Sequence, residues 1–130
     1  MIKELVRQTG DKVKITGNPI IREKDGLAMS SRNILLEPSV RENASIIFKT
    51  ISSASLMIKE YDIPEIKSFV ENSIGKVTGF KVEYFEIVDD IKLFPVNRKD
   101  EMKKEISYYG CVAVKAGKIR LIDNIRFELV

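Results

Sequence analysis

Tyr108-Tyr109-Gly110-Cys111-Val112-Ala113-Val114-Lys115-Ala116-Gly117-Lys118-Ile119-Arg120-Leu121-Ile122 reads as two extended segments joined by a tight reversal. Aromatic and branched residues favour a pleated backbone, and Ala116-Gly117 offers the chain a place to turn. Segments 108–115 and 118–122 are therefore expected to form a β-hairpin. Asp123-Asn124 reads as turn chemistry before it reads as an approach to a ligand, and predicts a change of direction into a last short strand carrying Ile125, Phe127 and Leu129. Upstream, 80–88 has the same strand composition, and its alternation changes phase near Tyr84-Phe85, which predicts a bulge.

Before these strands the period changes from two to 3.6. Val40, Ala44, Ile47, Phe48, Ile51, Ala54 and Ile58 trace one apolar stripe, predicting a long helix that begins at Pro38. Ile66, Phe69, Val70 and Ile74 define a second helix, with Pro64 near its start and Gly75 as its stop. Two helices on a small antiparallel sheet of about three strands is an α+β arrangement. Segment 89–105 is a charged connection in which Pro95 limits strand pairing, and 98–105 is either a short polar helix or a loop. At the start, Ile2, Leu5 and Val6 have helical spacing up to Gly10. Val13 and Ile15 then alternate with polar residues as a strand closed by Gly17-Asn18-Pro19. This helix and strand look like the end of something larger, because a lone strand needs neighbours.

The chain has 130 residues, 44% hydrophobic and 32% charged, with a formal charge of +3. That suits one compact domain, or one domain plus an attached fragment of another, and a domain of this size needs no metal or disulfide to hold it. Cys111 is the single cysteine, so no internal disulfide can form; its apolar setting predicts a small core residue rather than a nucleophile. There is no histidine, which excludes His-dependent nucleophilic, acid–base or metal chemistry within these residues. Neither a leader peptide nor an apolar run of ~20 residues is visible. Opposite charges alternate along most of the chain, as on a solvated surface.

Met29-Ser30-Ser31-Arg32-Asn33 places two hydroxyls and a guanidinium in a loop that follows Asp25-Gly26 and precedes a helix. Hydroxyls, backbone N–H groups and Arg can surround a polyphosphate. On local chemistry alone, turn and cap material is the commoner use of such a run. Arg22-Glu23 reads as an exposed pair worth well under ~1 kcal/mol before it reads as a brace that fixes the loop. Tyr108 and Tyr109 read as core residues before they read as a stacking surface for RNA.

The longer run Pro19-Ile20-Ile21-Arg22-Glu23-Lys24-Asp25-Gly26-Leu27-Ala28-Met29-Ser30-Ser31-Arg32-Asn33 closely resembles a signature of the pantothenate synthetases (pantoate–β-alanine ligases). Val82-Glu83-Tyr84-Phe85-Glu86-Ile87-Val88-Asp89 and Ile119-Arg120-Leu121-Ile122-Asp123-Asn124 also look like that family, in matching order and separation. The resemblance implies an AMP-forming ligase that joins pantoate to the α-phosphate of ATP, then transfers the acyl group from the adenylate to β-alanine. Met29 to Arg32 are similar to the Lys-Met-Ser-Lys-Ser loop of class I aminoacyl-tRNA synthetases. The resemblance implies that Ile21, Met29, Ser30, Ser31 and Arg32 bind ATP. Ser30 and Ser31 would hold the outer phosphates, and Ile21 would meet the adenine side through its backbone. Arg32 would be the catalytic residue, offsetting charge on the leaving pyrophosphate.

On the same resemblance, 1–19 is a helix-strand remnant of a Rossmann-like domain, the tail end of an N-terminal nucleotide-binding domain, and 20–130 a C-terminal lid. The larger domain of the family carries a His-x-Gly-His-type motif, the pantoate and β-alanine pockets and a Lys-Asp pair, none of which can be placed here. The chain alone is therefore expected to be inactive. Its implied partners are ATP, with Mg whose ligands lie outside this chain, and the N-terminal domain, in a cytoplasmic, homodimeric enzyme with neither nucleic acid nor membrane as partner. Two rivals of another class rest on the residues. One is a nucleic-acid- or protein-binding module using Lys115, Lys118 and Arg120, with a sequence pI of 8.9; the other is a self-associating packing module.

Overall fold

A computed structural model describes residues 1–129 of the chain. Its elements run α1 (Ile2–Thr9), a 3₁₀ turn (Ser31–Leu35), α2 (Pro38–Asn43), α3 (Ile46–Met57) and α4 (Ile63–Gly75), then β1 (Phe80–Asp89), a 3₁₀ turn (Lys99–Glu101), β2 (Tyr108–Ala116) and β3 (Ile119–Phe127). The three strands form one antiparallel sheet in the order β1-β2-β3. Helices α3 and α4 pack on one face of it, α4 over β1 and α3 over β3. The expected α+β architecture is the observed one.

The core follows from the two periodicities. On α3 and α4, Ile47, Ile51, Ile63, Ile66, Val70 and Ile74 are fully buried, and on the strands Phe85, Ile87, Val112 and Val114 face them. Burying each such side chain is worth about 1.5–3 kcal/mol of transfer free energy. A capping box starts α4: the Asp62 carboxylate accepts from the Ile63 N–H, and the Glu65 carboxylate accepts from the Asp62 N–H at 2.9 Å. Pro64 sits in its first turn, where a missing N–H costs no hydrogen bond.

Four expectations are corrected. The single long helix is two, α2 and α3. Around Ala44 the hydrogen bonds tighten to i−3 spacing, from the Ala44 N–H to the Arg41 carbonyl and from the Ile47 N–H to the Ala44 carbonyl, while the apolar stripe runs on across the break. Residues 13–16 form no strand, because no other strand among the described residues lies beside them to complete a ladder. Asp123-Asn124 does not turn the chain: β3 runs straight through, with Asp123 opposite Val112 and Asn124 opposite Cys111. Cys111 lies half-buried on the outer face of the sheet, not in the core, and that burial pushes its thiol pKa up, away from the nucleophilic thiolate.

Other details fall where the pattern put them. The bulge sits between Val82 and Tyr84, leaving Glu83 unopposed. Tyr108 is buried, and its hydroxyl accepts the Lys103 N–H at 2.8 Å. In the connection after β1, the Asp89 carboxylate accepts from the N–H groups of Ile91, Lys92 and Phe94. Only the 3₁₀ turn Lys99–Glu101 breaks this otherwise irregular stretch, and Pro95 makes just one isolated bridge, to Val88.

Three structural carboxylates predict the acid limb of stability. Asp25 is held below the usual range by the Arg41 guanidinium, Asp62 by the Lys99 backbone N–H and then that of Ile63, and Asp89 by the Lys92 N–H. A carboxyl whose folded pKa is depressed stabilises the fold above its unfolded value of about 3.9, and loses that contribution as pH falls through the folded value. The urea midpoint is thus expected to be flat above about pH 5 and to fall below about pH 4. A midpoint that rises on acidification would contradict these assignments.

Candidate functional site

The informative loop is built by a small turn of its own. The Glu23 N–H donates to the Leu27 carbonyl at 2.7 Å and the Met29 N–H to the Ile21 carbonyl at 2.9 Å, so 21–29 doubles back about Asp25-Gly26. Gly26 has φ 98°, and a Cβ there would be driven into the Phe48 ring, so this position requires glycine on both counts. The Asp25 carboxylate braces the turn through Arg41 at 2.6 Å. Ser30 then caps the 3₁₀ turn, its Oγ accepting from the Arg32 N–H at 3.1 Å.

Between this loop and β3 lies a cleft of about 330 Å³. Leu27, Ile47 and Leu121 give it apolar surface, and Met29, Ser30 and Arg32 line the loop side. Arg120, Ile122 and Asp123 line it from β3. Of the residues singled out from the sequence, Met29, Ser30 and Arg32 therefore come together. Ser31 is exposed at the start of the 3₁₀ turn but does not line the cleft, and Ile21 is 71% exposed with its carbonyl engaged by Met29.

The charge balance of the cleft is simple. Arg120 is paired with Glu83 at 2.7 Å, across the bulge of β1. Asp123 is paired with Arg22 at 2.6 Å. Arg32 forms no ion pair among the described residues; its one contact is a 3.5 Å approach of Nη1 to the Arg120 carbonyl. The cleft thus holds one uncompensated guanidinium beside a hydroxyl, an arrangement that can receive an anion.

Asn33 closes the floor. It is 6% exposed, its Nδ2 donates to the Ala28 carbonyl at 3.0 Å, and its Oδ1 is buried without a partner. From the sequence, Arg22 reads first as half of an exposed pair and Asp123 first as a turn, and Asn33 is not among the residues expected to bind ATP. The Arg22-Glu23 pair expected there does not form, because the Arg22 guanidinium turns inward to Asp123. One signal was available: Ile119, Leu121, Asp123, Ile125 and Phe127 keep a period of two, which marks Asp123 as a polar residue on an inward-facing position.

Fold and cleft together define a small α+β domain that presents a cationic, hydroxyl-bearing loop along a sheet edge. The sequence model of the pantoate-beta-alanine ligase family matches residues 1–126, and the chain belongs to that family. The pantothenate synthetase of Bacteroides fragilis is 41% identical over 128 residues, which cover 98% of this chain and 44% of that protein. The crystal structure of pantothenate synthetase from Thermus thermophilus superposes with a TM-score of 0.85 at 29% identity, covering 98% of this chain and 45% of the other. The pantoate-beta-alanine ligase of Francisella tularensis, crystallised with β-γ ATP and β-alanine, shares the fold at a TM-score of 0.60 and 24% identity, over 96% of this chain and 38% of that one. The chain therefore spans less than half the length of the relatives it matches.

Proposed function

We propose that this chain is the ATP-closing part of a pantoate–β-alanine ligase, and that 20–130 acts as a lid over nucleotide held mainly by a domain to which 1–19 belongs. The observation that carries the proposal is the cleft in which Arg32, unpaired, stands beside Ser30 and Met29 on a braced loop. These residues fit a triphosphate tail. Arg32 offers a planar pair of donors, Ser30 keeps its hydroxyl proton while its Oγ accepts the Arg32 N–H, and the nearby carboxylate of Asp123 is already neutralised. The crystallisation of the Francisella relative with β-γ ATP supports the choice of nucleotide.

ATP would supply the activated phosphorus at which the carboxylate of pantoate is adenylated. This chain would contribute fixed positive charge and donors where charge builds on departing pyrophosphate, with Ser30 on the outer phosphates from within the cleft, Ser31 reaching them from the exposed start of the 3₁₀ turn, and Ile21 toward the base through its backbone N–H, its carbonyl being held by Met29. A donor held in place before reaction needs no reorganisation, and one such donor can be worth ~3 kcal/mol at the transition state. The apolar floor of Leu27, Ile47 and Leu121 would help exclude water as the lid closes. Mg is expected to arrive with ATP on ligands outside these residues, and a homodimeric, cytoplasmic enzyme completes the proposal. The nucleic-acid rival is weakened by Arg120, whose charge is already committed to Glu83.

The test is pantothenate formation from ATP, pantoate and β-alanine by this chain alone and by this chain mixed with the N-terminal portion of a relative. Product formed only in the mixture is the expected result. Robust product from the chain alone would overturn the lid proposal.

A further inference from the structure

The Arg22 guanidinium joins three separate parts of the fold. Its Nη1 donates to Asp123 Oδ2 at 2.6 Å and to the Gly26 carbonyl at 3.0 Å, while Nη2 donates to Asp123 Oδ1 at 3.0 Å and reaches the Asn124 carbonyl at 3.5 Å. Its guanidinium carbon stands 3.8 Å from the centre of the Phe48 ring, and Phe48 is the ring that denies Gly26 a side chain. The pair is well enclosed, with 19% of the Arg22 side chain and 3% of the Asp123 side chain exposed. One planar cation thus ties the apex of the loop turn to helix α3 and to the middle of β3.

We propose that Arg22 is a positioning residue for the phosphate grip, setting the loop against β3 through Asp123 and cancelling a carboxylate that would otherwise face the incoming phosphates. The inference rests on the proposal that the cleft receives a triphosphate tail. Two physical consequences follow from the geometry. Without the bidentate pair, the turn about Gly26 keeps its backbone bonds, the Asp25 bonds to Arg41 and to the Leu27 N–H, and the Asn33 bond to Ala28, but loses its tie to Asp123, so Met29, Ser30 and Arg32 are set less firmly against β3. Without the guanidinium, Asp123 becomes a bare anion on the cleft wall and repels any phosphate that enters.

Lysine cannot reproduce this arrangement, since an ammonium is a point charge that cannot bond two carboxylate oxygens and a carbonyl in one plane while lying flat on a ring. Replacing both partners by apolar residues removes the buried charges together. Such paired replacement is often neutral for stability, whereas removing one partner is not. The double variant Arg22→Met/Asp123→Leu therefore separates placement of the loop from survival of the fold.

The experiment is an amide NMR titration with ATP of the isotope-labelled chain mixed with the N-terminal portion of a relative, alongside hydrogen exchange. In the wild type, the amides of Met29 to Arg32 are expected to shift with ATP. In Arg22→Lys and in the double variant, ATP binding is expected to weaken by about tenfold or more. Exchange of the Glu23 and Met29 amides should quicken while the ladder between β1 and β2 stays protected. Wild-type affinity in both variants would overturn the positioning role and leave the nucleotide proposal standing. Absence of any ATP-induced shift at Met29 to Arg32 in the wild type would overturn both.

Discussion

Arg32→Ala, introduced into the assembled ligase, is expected to slow adenylate formation by about 100-fold or more while leaving the fold intact. The fold should survive because the Arg32 side chain is exposed, and its one hydrogen bond among the described residues is the 3.5 Å approach to the Arg120 carbonyl. Chemistry should suffer because that guanidinium is the one cation of the cleft not already paired with a carboxylate. Arg32→Lys should recover only part of the rate, restoring the charge without the two-pronged donor geometry. Single-turnover measurement of the adenylate burst reads this directly, and an unchanged burst would remove Arg32 from the chemistry.

The largest loss of stability is expected at Phe85. Its side chain is buried under the helices, its ring centre 6.4 Å from that of Phe127, and the two rings close around Gly110 on the strand between them. Gly110 has no side chain because any Cβ would strike both rings, so β2 gives up bulk there to admit the pair. Phe85→Ala empties this pocket with no neighbour able to fill it, at a cost of about 3–5 kcal/mol in urea unfolding. That is a large share of the ~5–15 kcal/mol by which a domain of this kind is stable. A loss below ~1 kcal/mol would mean that the sheet collapses onto the vacancy.

The regular elements were legible because burial here follows simple periods. The stripe from Ala44 to Ile58 and the one from Ile66 to Ile74 are the buried faces of α3 and α4, and the hairpin about Gly117 forms with Ala116 opposite Ile119. Where the reading failed, a local preference was overruled by a distant partner. Asp123-Asn124 carries strong turn propensity, yet β2 holds the pair in the ladder and Arg22, far away in the chain, gives Asp123 a reason to face inward. Val13 to Thr16 failed the opposite way: the alternation of a strand is present, but no ladder partner lies beside it. Ser30 and Arg32 could be marked as candidates from the signature they resemble. Their neighbours across the cleft could not, because nothing local in residues 119–123 says which loop will lie against them.

The bond between Arg22 and Asp123 spans 101 positions of the chain. A contact of such separation forms late, since the entropy of closing so long a loop is met only after nearer contacts are in place. Helices α3 and α4 can pair as soon as both are made, but the turn at Gly26 gains its anchor only once β3 has docked. The loop is synthesised before the helices and strands that follow it, yet it is among the last to acquire its working shape, and a polypeptide released before Asp123 would lack a formed grip.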